Sequence, residues 1–208
     1  MPVYKLDNKT FSFPNPSFAE RSGLLAVGSD LHPNRLLTAY SHGIFPWYGS
    51  EGWYFWYTPD PRFVLYPTEL KIHKSMRSVF NQQKFRYTID TCFKEVITAC
   101  SEASRNGQNG SWITPAFVAA YTDLHEQGLA HSMEVWEGDT LVGGLYGVAL
   151  GKVFSGESMF ARRNNASKAG FITLTQILNQ AGFWMIDCQQ ETQHLLSLGA
   201  RNIARNDL

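Results

Sequence analysis

Two carboxylates stand in runs that are otherwise apolar or small. Glu157 lies in V-F-S-G-E-S-M-F, and Asp187 lies in W-M-I-D-C-Q with the amide of Gln189 just after it. Each run reads as a strand, Val153–Phe160 and Trp184–Cys188. Between them Arg162, Arg163 and Lys168 cluster with two asparagines at the start of a helix. Phe171, Leu174, Ile177, Leu178 and Ala181 repeat there at helical spacing and give that helix one apolar face. Acids on apolar strands beside a cationic helix start suit a site that handles a polyanion and a proton together. Strand alternation turns Cys188 to the face opposite Asp187 and Gln189, into the core. A carboxylate at a strand end also commonly caps a helix or pairs with arginine. The residues alone therefore leave Asp187 open between a chemical and a structural role.

A second concentration is aromatic. Phe45, Trp47, Tyr48, Trp53, Tyr54, Phe55, Trp56 and Tyr57 fall in one short stretch fenced by glycines and prolines. They read either as a hydrophobic lid or as rings that stack on a planar ligand such as a nucleobase. Lys71, His73, Lys74 and Arg77 lead into or lie on a helix with Met76, Val79 and Phe80 on its other face. That basic face is either simply solvated or meets phosphates.

Composition bounds the possibilities. With 208 residues and 44% hydrophobic content, the chain buries a substantial core. Eighteen Lys and Arg balance 18 Asp and Glu, which argues against coating nucleic acid through a global positive field. No apolar run is long enough to span a bilayer, so no membrane partner is expected. The start lacks the basic and apolar regions of a signal peptide. Three cysteines without paired spacing indicate neither a disulfide framework nor a metal site. A reducing cytoplasm is the expected location.

These side chains need elements to hold them. Gly23–Gly28 reads as a strand, and a helix then starts near Ser29, Asp30, His32 and Pro33 and stops at Gly43. Pro59-Asp60-Pro61 is a stiff turn that divides the chain into residues 1–61 and 62–208. Beyond it, Phe63–Tyr66 and Phe85–Ile89 read as strands, the latter at a sheet edge. Phe93, Val96, Ile97 and Cys100 mark a helix, and Ser104–Ser111 is a polar loop. Thr114 caps a helix with Phe117, Ala120, Tyr121 and Leu124 in one stripe. Ser132–Trp136 and Leu141–Val148 form a hairpin about Glu137-Gly138-Asp139. Thr192–Leu198 is a short helix ended by Gly199. An antiparallel meander, a helix and one more strand is the layout of an N-acetyltransferase-type fold. The expected class is thus α/β (α+β): an N-acetyltransferase-like mixed sheet flanked by helices, with a small N-terminal α/β domain. Acyltransferases of that type hold a pyrophosphate on a glycine-rich loop. R-R-N-N-A-S-K-A-G lacks the close-approach glycines, which speaks against CoA.

The segments G-L-L-A-V-G-S-D-L, G-I-F-P-W-Y, Y-T-P-D-P-R, W-I-T with the helix after it, H-S-M-E-V-W, L-V-G-G-L-Y-G-V, G-E-S-M-F-A-R-R-N-N-A-S-K and I-D-C-Q occur in one order. Together they resemble the leucyl/phenylalanyl-tRNA–protein transferases of the bacterial N-degron pathway. The resemblance implies transfer of Leu, Phe or, less readily, Met from aminoacyl-tRNA to the N-terminal amine of proteins beginning with Arg or Lys. It implies no cofactor and no metal, because an aminoacyl ester is already activated. A monomer is expected, and zero net charge limits the expected tRNA contact to the acceptor end.

By the same resemblance, Asp187 and Gln189 orient and deprotonate the attacking amine, and Glu157 meets the acceptor's charge. Trp47, Trp112, Tyr121 and Tyr40 surround the terminal adenosine. Leu145, Phe154, Met159, Phe171 and Leu174 line the aminoacyl side-chain pocket. Lys74, Arg77, Arg162, Arg163 and Lys168 are the cations expected on tRNA phosphates. Thr192 stands where the family often has Asn. Asp187→Ala is expected to spare the fold and lower transfer by about 10². An acyl-CoA-dependent N-acetyltransferase and a non-catalytic tRNA-binding module are the competing readings.

Overall fold

A computed structural model describes residues 3–49, 52–103 and 111–208. Most of the expected loop Ser104–Ser111 lies outside the described residues. Two sheets fall on either side of residue 61. The first contains β1 (Tyr4–Lys5), β2 (Leu24–Gly28), β3 (Phe45–Tyr48) and β4 (Tyr54–Tyr57) in the order β1-β2-β4-β3. The aromatic run is thus a hairpin whose alternate side chains enter the core, with Trp56 fully buried. Helix α1 (Pro33–Tyr40) starts as expected, with His32 Nδ1 accepting from the Asn34 amide.

The second sheet has seven strands. They are β5 (Arg62–Leu65), β6 (Arg86–Ile89), β7 (Ala130–Glu137), β8 (Thr140–Leu150), β9 (Val153–Ala161), β10 (Met185–Gln189) and β11 (Arg201–Ile203). Their order is β11-β5-β10-β9-β8-β7-β6, which leaves β6 at an edge as expected. Strands β7, β8 and β9 form the antiparallel meander. Strand β10 runs parallel to β9. A parallel neighbour needs a crossover, and α5 (Ala166–Gln180) supplies it. This is the N-acetyltransferase-like arrangement.

Helices α3 (Phe93–Glu102) and α4 (Pro115–Glu126) pack with the first sheet in a core that includes Tyr146 and Val148 of β8. A second core forms where α5, α2 (Lys74–Asn81) and α6 (Gln193–Ser197) meet side chains such as Met133, Leu145 and Ile186. Among the described residues no helix is long and apolar enough to cross a membrane.

Three local expectations need correction. Trp184 is 73% exposed and precedes the buried strand instead of opening it. Ala181 is exposed at the end of α5, so the apolar face stops at Leu178. Thr114 holds the N-cap position of α4 without a side-chain cap bond.

Candidate active site

Both residues at the centre of the site sit on interruptions of strand register. Tyr146 pairs with Ser158 and Gly147 pairs with Gly156, which leaves Glu157 as the unpaired residue of a β-bulge. Gly147 is required there, because a Cβ would approach the Ser155 carbonyl oxygen to 2.2 Å. On β10, Asp187 pairs with Val64 and Gln189 with Phe63, so Cys188 is skipped. Gln189 takes a left-handed backbone with φ of 62°, a conformation that costs a non-glycine residue on the order of 1 kcal/mol. Bulges re-aim side chains, and both of these turn toward one cavity.

That cavity measures about 280 Å³, close to the lower end of the ~300–1,000 Å³ range of small-molecule sites. Glu157, Gln189, Trp47 and Trp112 stand on its wall. Leu145, Met159 and Phe171 line it as expected. Phe154 and Leu174 do not, being buried in the second core. Ile186, Cys188 and Leu195 join the lining in their place. Cys188 shares the face of Ile186, as regular alternation dictates, and is buried in the second core as expected; the bulge instead re-aims Gln189 onto that same face.

Glu157 anchors a chain of polar groups. Gln189 Nε2 donates to Glu157 Oε1 over 2.8 Å, and the Tyr121 hydroxyl donates to Oε2 over 3.1 Å. The Tyr40 and Tyr121 hydroxyls are hydrogen-bonded to each other. Burial pushes the Glu157 carboxyl up to about 7, against hydrogen bonds from Tyr40, Tyr121 and Gln189 that pull it down. Both phenols are held well above their ordinary value, first by burial and then by the Glu157 charge, so they remain hydroxyl donors. Tyr121 is fully buried, packed against Phe117 and Tyr146. Its ring is therefore closed to a base, whereas Tyr40, half-buried beside it, lines a separate cavity of about 550 Å³ together with Asp187. Trp47 and Trp112 do reach the cavity, with ring centroids 5.5 Å apart.

Asp187 stands apart from that cavity. Arg62 Nε and Nη2 donate to its two oxygens over 2.7 and 2.6 Å, and both side chains are buried. Asp187 Oδ1 also accepts from the Gln189 amide over 3.0 Å. Its carboxylate is committed to these partners and does not line the cavity of Glu157. Arg62 further donates to the Gly43 carbonyl and lies over the Phe45 ring at 4.7 Å. It therefore joins the segment leading to Trp47 to the strand bearing Gln189. Sequence reasoning overlooks Arg62, although an arginine opening the buried run R-F-V-L demands a buried anion, and Asp187 is the acid in the facing strand.

The cations divide. Arg162, Arg163 and Lys168 line a separate hollow with His194 at the start of α5. Arg163 is also paired with Glu137. Lys74 and Arg77 are exposed on α2 and lie outside that hollow.

A family model described as leucyl/phenylalanyl-tRNA protein transferase matches residues 64–208, and the model of its N-terminal domain matches residues 29–60. The chain belongs to the leucyl/phenylalanyl-tRNA protein transferase family. Family members with that name include one from Christiangramia forsetii, 54% identical over 95% of this chain and 94% of its own. The Pseudomonas aeruginosa transferase is 50% identical over 97% and 90%, and that of Anaeromyxobacter sp. (strain K) is 49% identical over 99% and 88%. Among solved structures, L-PGS from Bacillus licheniformis aligns at 12% identity and a TM-score of 0.44, over 80% of this chain and 52% of that one. A GCN5-related N-acetyltransferase from Kribbella flavida aligns at 12% and 0.42, over 86% and 64%. In this family member Glu157 and Gln189 are hydrogen-bonded to each other at the cavity, with Ser158, Gln190 and Thr192 also on its wall, and Asp187 is not among the lining residues.

Proposed function

We propose that this aminoacyltransferase moves Leu or Phe, and less readily Met, from the 3′ end of aminoacyl-tRNA onto the N-terminal amine of proteins beginning with Arg or Lys. It acts in the cytoplasm as a monomer, without cofactor, and marks its acceptors for N-degron degradation. The observation that carries this reading is one small apolar cavity whose wall holds both an amide and a carboxyl of raised pKa. The aminoacyl side chain occupies the space beside Leu145, Met159 and Phe171. Trp47 and Trp112 present apolar faces to the terminal adenosine. Met159, soft and unbranched, adapts to both Leu and Phe. Arg162, Arg163 and Lys168, with Lys74 and Arg77 farther out, meet phosphates of the acceptor end.

In the reaction the acceptor nitrogen attacks the ester carbonyl. A C–N bond forms, the carbonyl–ribose C–O bond breaks, and one amine proton ends on the ribose oxygen. An acceptor that arrives as an ammonium must first lose another proton, and Glu157 with a pKa of about 7 is matched to take it. The Gln189 amide holds the amine. Asp187 and Arg62 are positioning residues: they fix the Gln189 backbone and its distance from Trp47. Incubation with Phe-tRNA carrying labelled Phe tests the proposal. Label is expected on a peptide beginning with Arg or Lys and not on one beginning with Ala. Label on neither peptide would refute the reading.

A further inference from the structure

Peptide-bond formation needs two substrates to meet at one point, and the donor cavity accounts for one of them. A second cleft of about 740 Å³ lies between the β3–β4 hairpin and the strands β5 and β11. It shares Trp47, Gln189 and Gln190 with the donor cavity, so these three residues stand between the two spaces. Rings make up much of its surface, among them Phe45, Phe55, Tyr57 and Phe63. Glu191 stands on its wall beside Asn202, whose amide donates to Glu191 Oε2 over 2.7 Å and holds that carboxylate in place. Glu20 adds to the negative field: after burial, its charge is the second cause that pushes the Tyr57 phenol up.

Charge sorts the two substrates. None of the described residues lining this cleft is Lys or Arg. The hollow of Arg162, Arg163 and Lys168 shares no lining residue with it. A phosphodiester meets cations in that hollow and carboxylates here, whereas a cationic peptide meets the reverse.

We propose that the aromatic cleft receives the N-terminal segment of the acceptor protein, with its basic first side chain paired to Glu191 and its α-amine delivered at Gln189. This deepens the transferase reading and rests on it. Aromatic faces suit an extended peptide with a cationic head through cation–π and apolar contact.

The test is steady-state transfer of labelled Phe to a peptide beginning with Arg, comparing the wild type with Glu191→Gln and Glu191→Lys. Glu191 is exposed, so both variants are expected to fold. Glu191→Gln should raise the peptide KM about 3-fold to 5-fold, the upper scale of an exposed ion pair, and Glu191→Lys should raise it further. The KM for Phe-tRNA and kcat should stay within about 2-fold in both variants. An unchanged peptide KM overturns the inference. A rise in the Phe-tRNA KM instead assigns the cleft to RNA and also overturns it. In both of those outcomes the wild type still transfers Phe, and the transferase reading stands. If the wild type labels no peptide, that reading fails and this inference falls with it.

Discussion

At the residue scale, one buried carboxyl governs the chemistry. Glu157 sits near neutrality because burial outweighs three hydrogen bonds that favour its charged form. Removing one of those bonds should push its pKa higher still. Tyr121→Phe is therefore expected to move the lower limb of the pH–rate profile to more alkaline pH, as read from single-turnover transfer. Gln189 contributes differently, through an amide held against Glu157 and a backbone in the left-handed region. The sequence showed that Glu157 and Gln189 are polar residues among apolar neighbours, and this much was legible. It did not show that Asp187 turns away from them, because that depends on a bulge. Strand alternation has period two, and an inserted residue reverses every assignment beyond it.

At the scale of elements, β10 is held to β5 by the buried Arg62–Asp187 pair. Removing one partner leaves the other charge buried and unpaired, at a cost of about 3–5 kcal/mol. For a chain of this size that is a loss of roughly 6–20 °C in Tm. Asp187→Ala should therefore melt well below the wild type, contrary to the expectation drawn from sequence that the fold would be spared. Arg62→Met combined with Asp187→Leu should recover much of the lost Tm, as apolar replacements of buried pairs often do. Transfer should remain low in that double variant, because Gln189 has no backbone anchor there. Recovery of both stability and transfer would remove the positioning role. The cavity wall makes a separate prediction. Leu145→Phe narrows the donor space and should depress Phe transfer about 10-fold more than Leu transfer, a modest ratio typical of shape discrimination. Competition between the two labelled donors measures it. Helices and most strands were legible because their apolar periodicity is strong, as in Phe93, Val96, Ile97 and Cys100, all buried. The aromatic hairpin was less so, since rings crowd both faces of β3 and β4 and blur the alternation.

At the scale of the whole molecule, a net charge of zero confines strong RNA binding to local patches. Replacing Arg162, Arg163 and Lys168 together by Gln should lower the salt slope of tRNA binding by about one for each phosphate that is no longer neutralised. An unchanged slope would mean these cations serve the fold alone, as the Arg163–Glu137 pair does. Stability should also respond to pH through Glu157. Its carboxyl titrates at about 7 in the folded chain against an ordinary value of 4.5, so its contribution is fully present below 4.5 and is lost as pH rises through about 7. Glu157→Gln should therefore flatten the fall in Tm between about pH 5 and pH 8, as recorded by calorimetry. The meeting of the two sheets around one site was not legible from local patterns, because Arg62 and Asp187 are 125 residues apart in the chain.

The central claim is that Glu157 takes the acceptor's proton at the donor cavity. The pH dependence of single-turnover Phe transfer to an Arg-peptide, measured for the wild type and Glu157→Gln, tests it most directly. The wild-type rate should rise through pH about 7, with a second rise at about 8 as the free α-amine titrates. In Glu157→Gln the step at about 7 should vanish and the rate should fall by about 10². A variant that keeps both the wild-type rate and the step at about 7 would contradict the account.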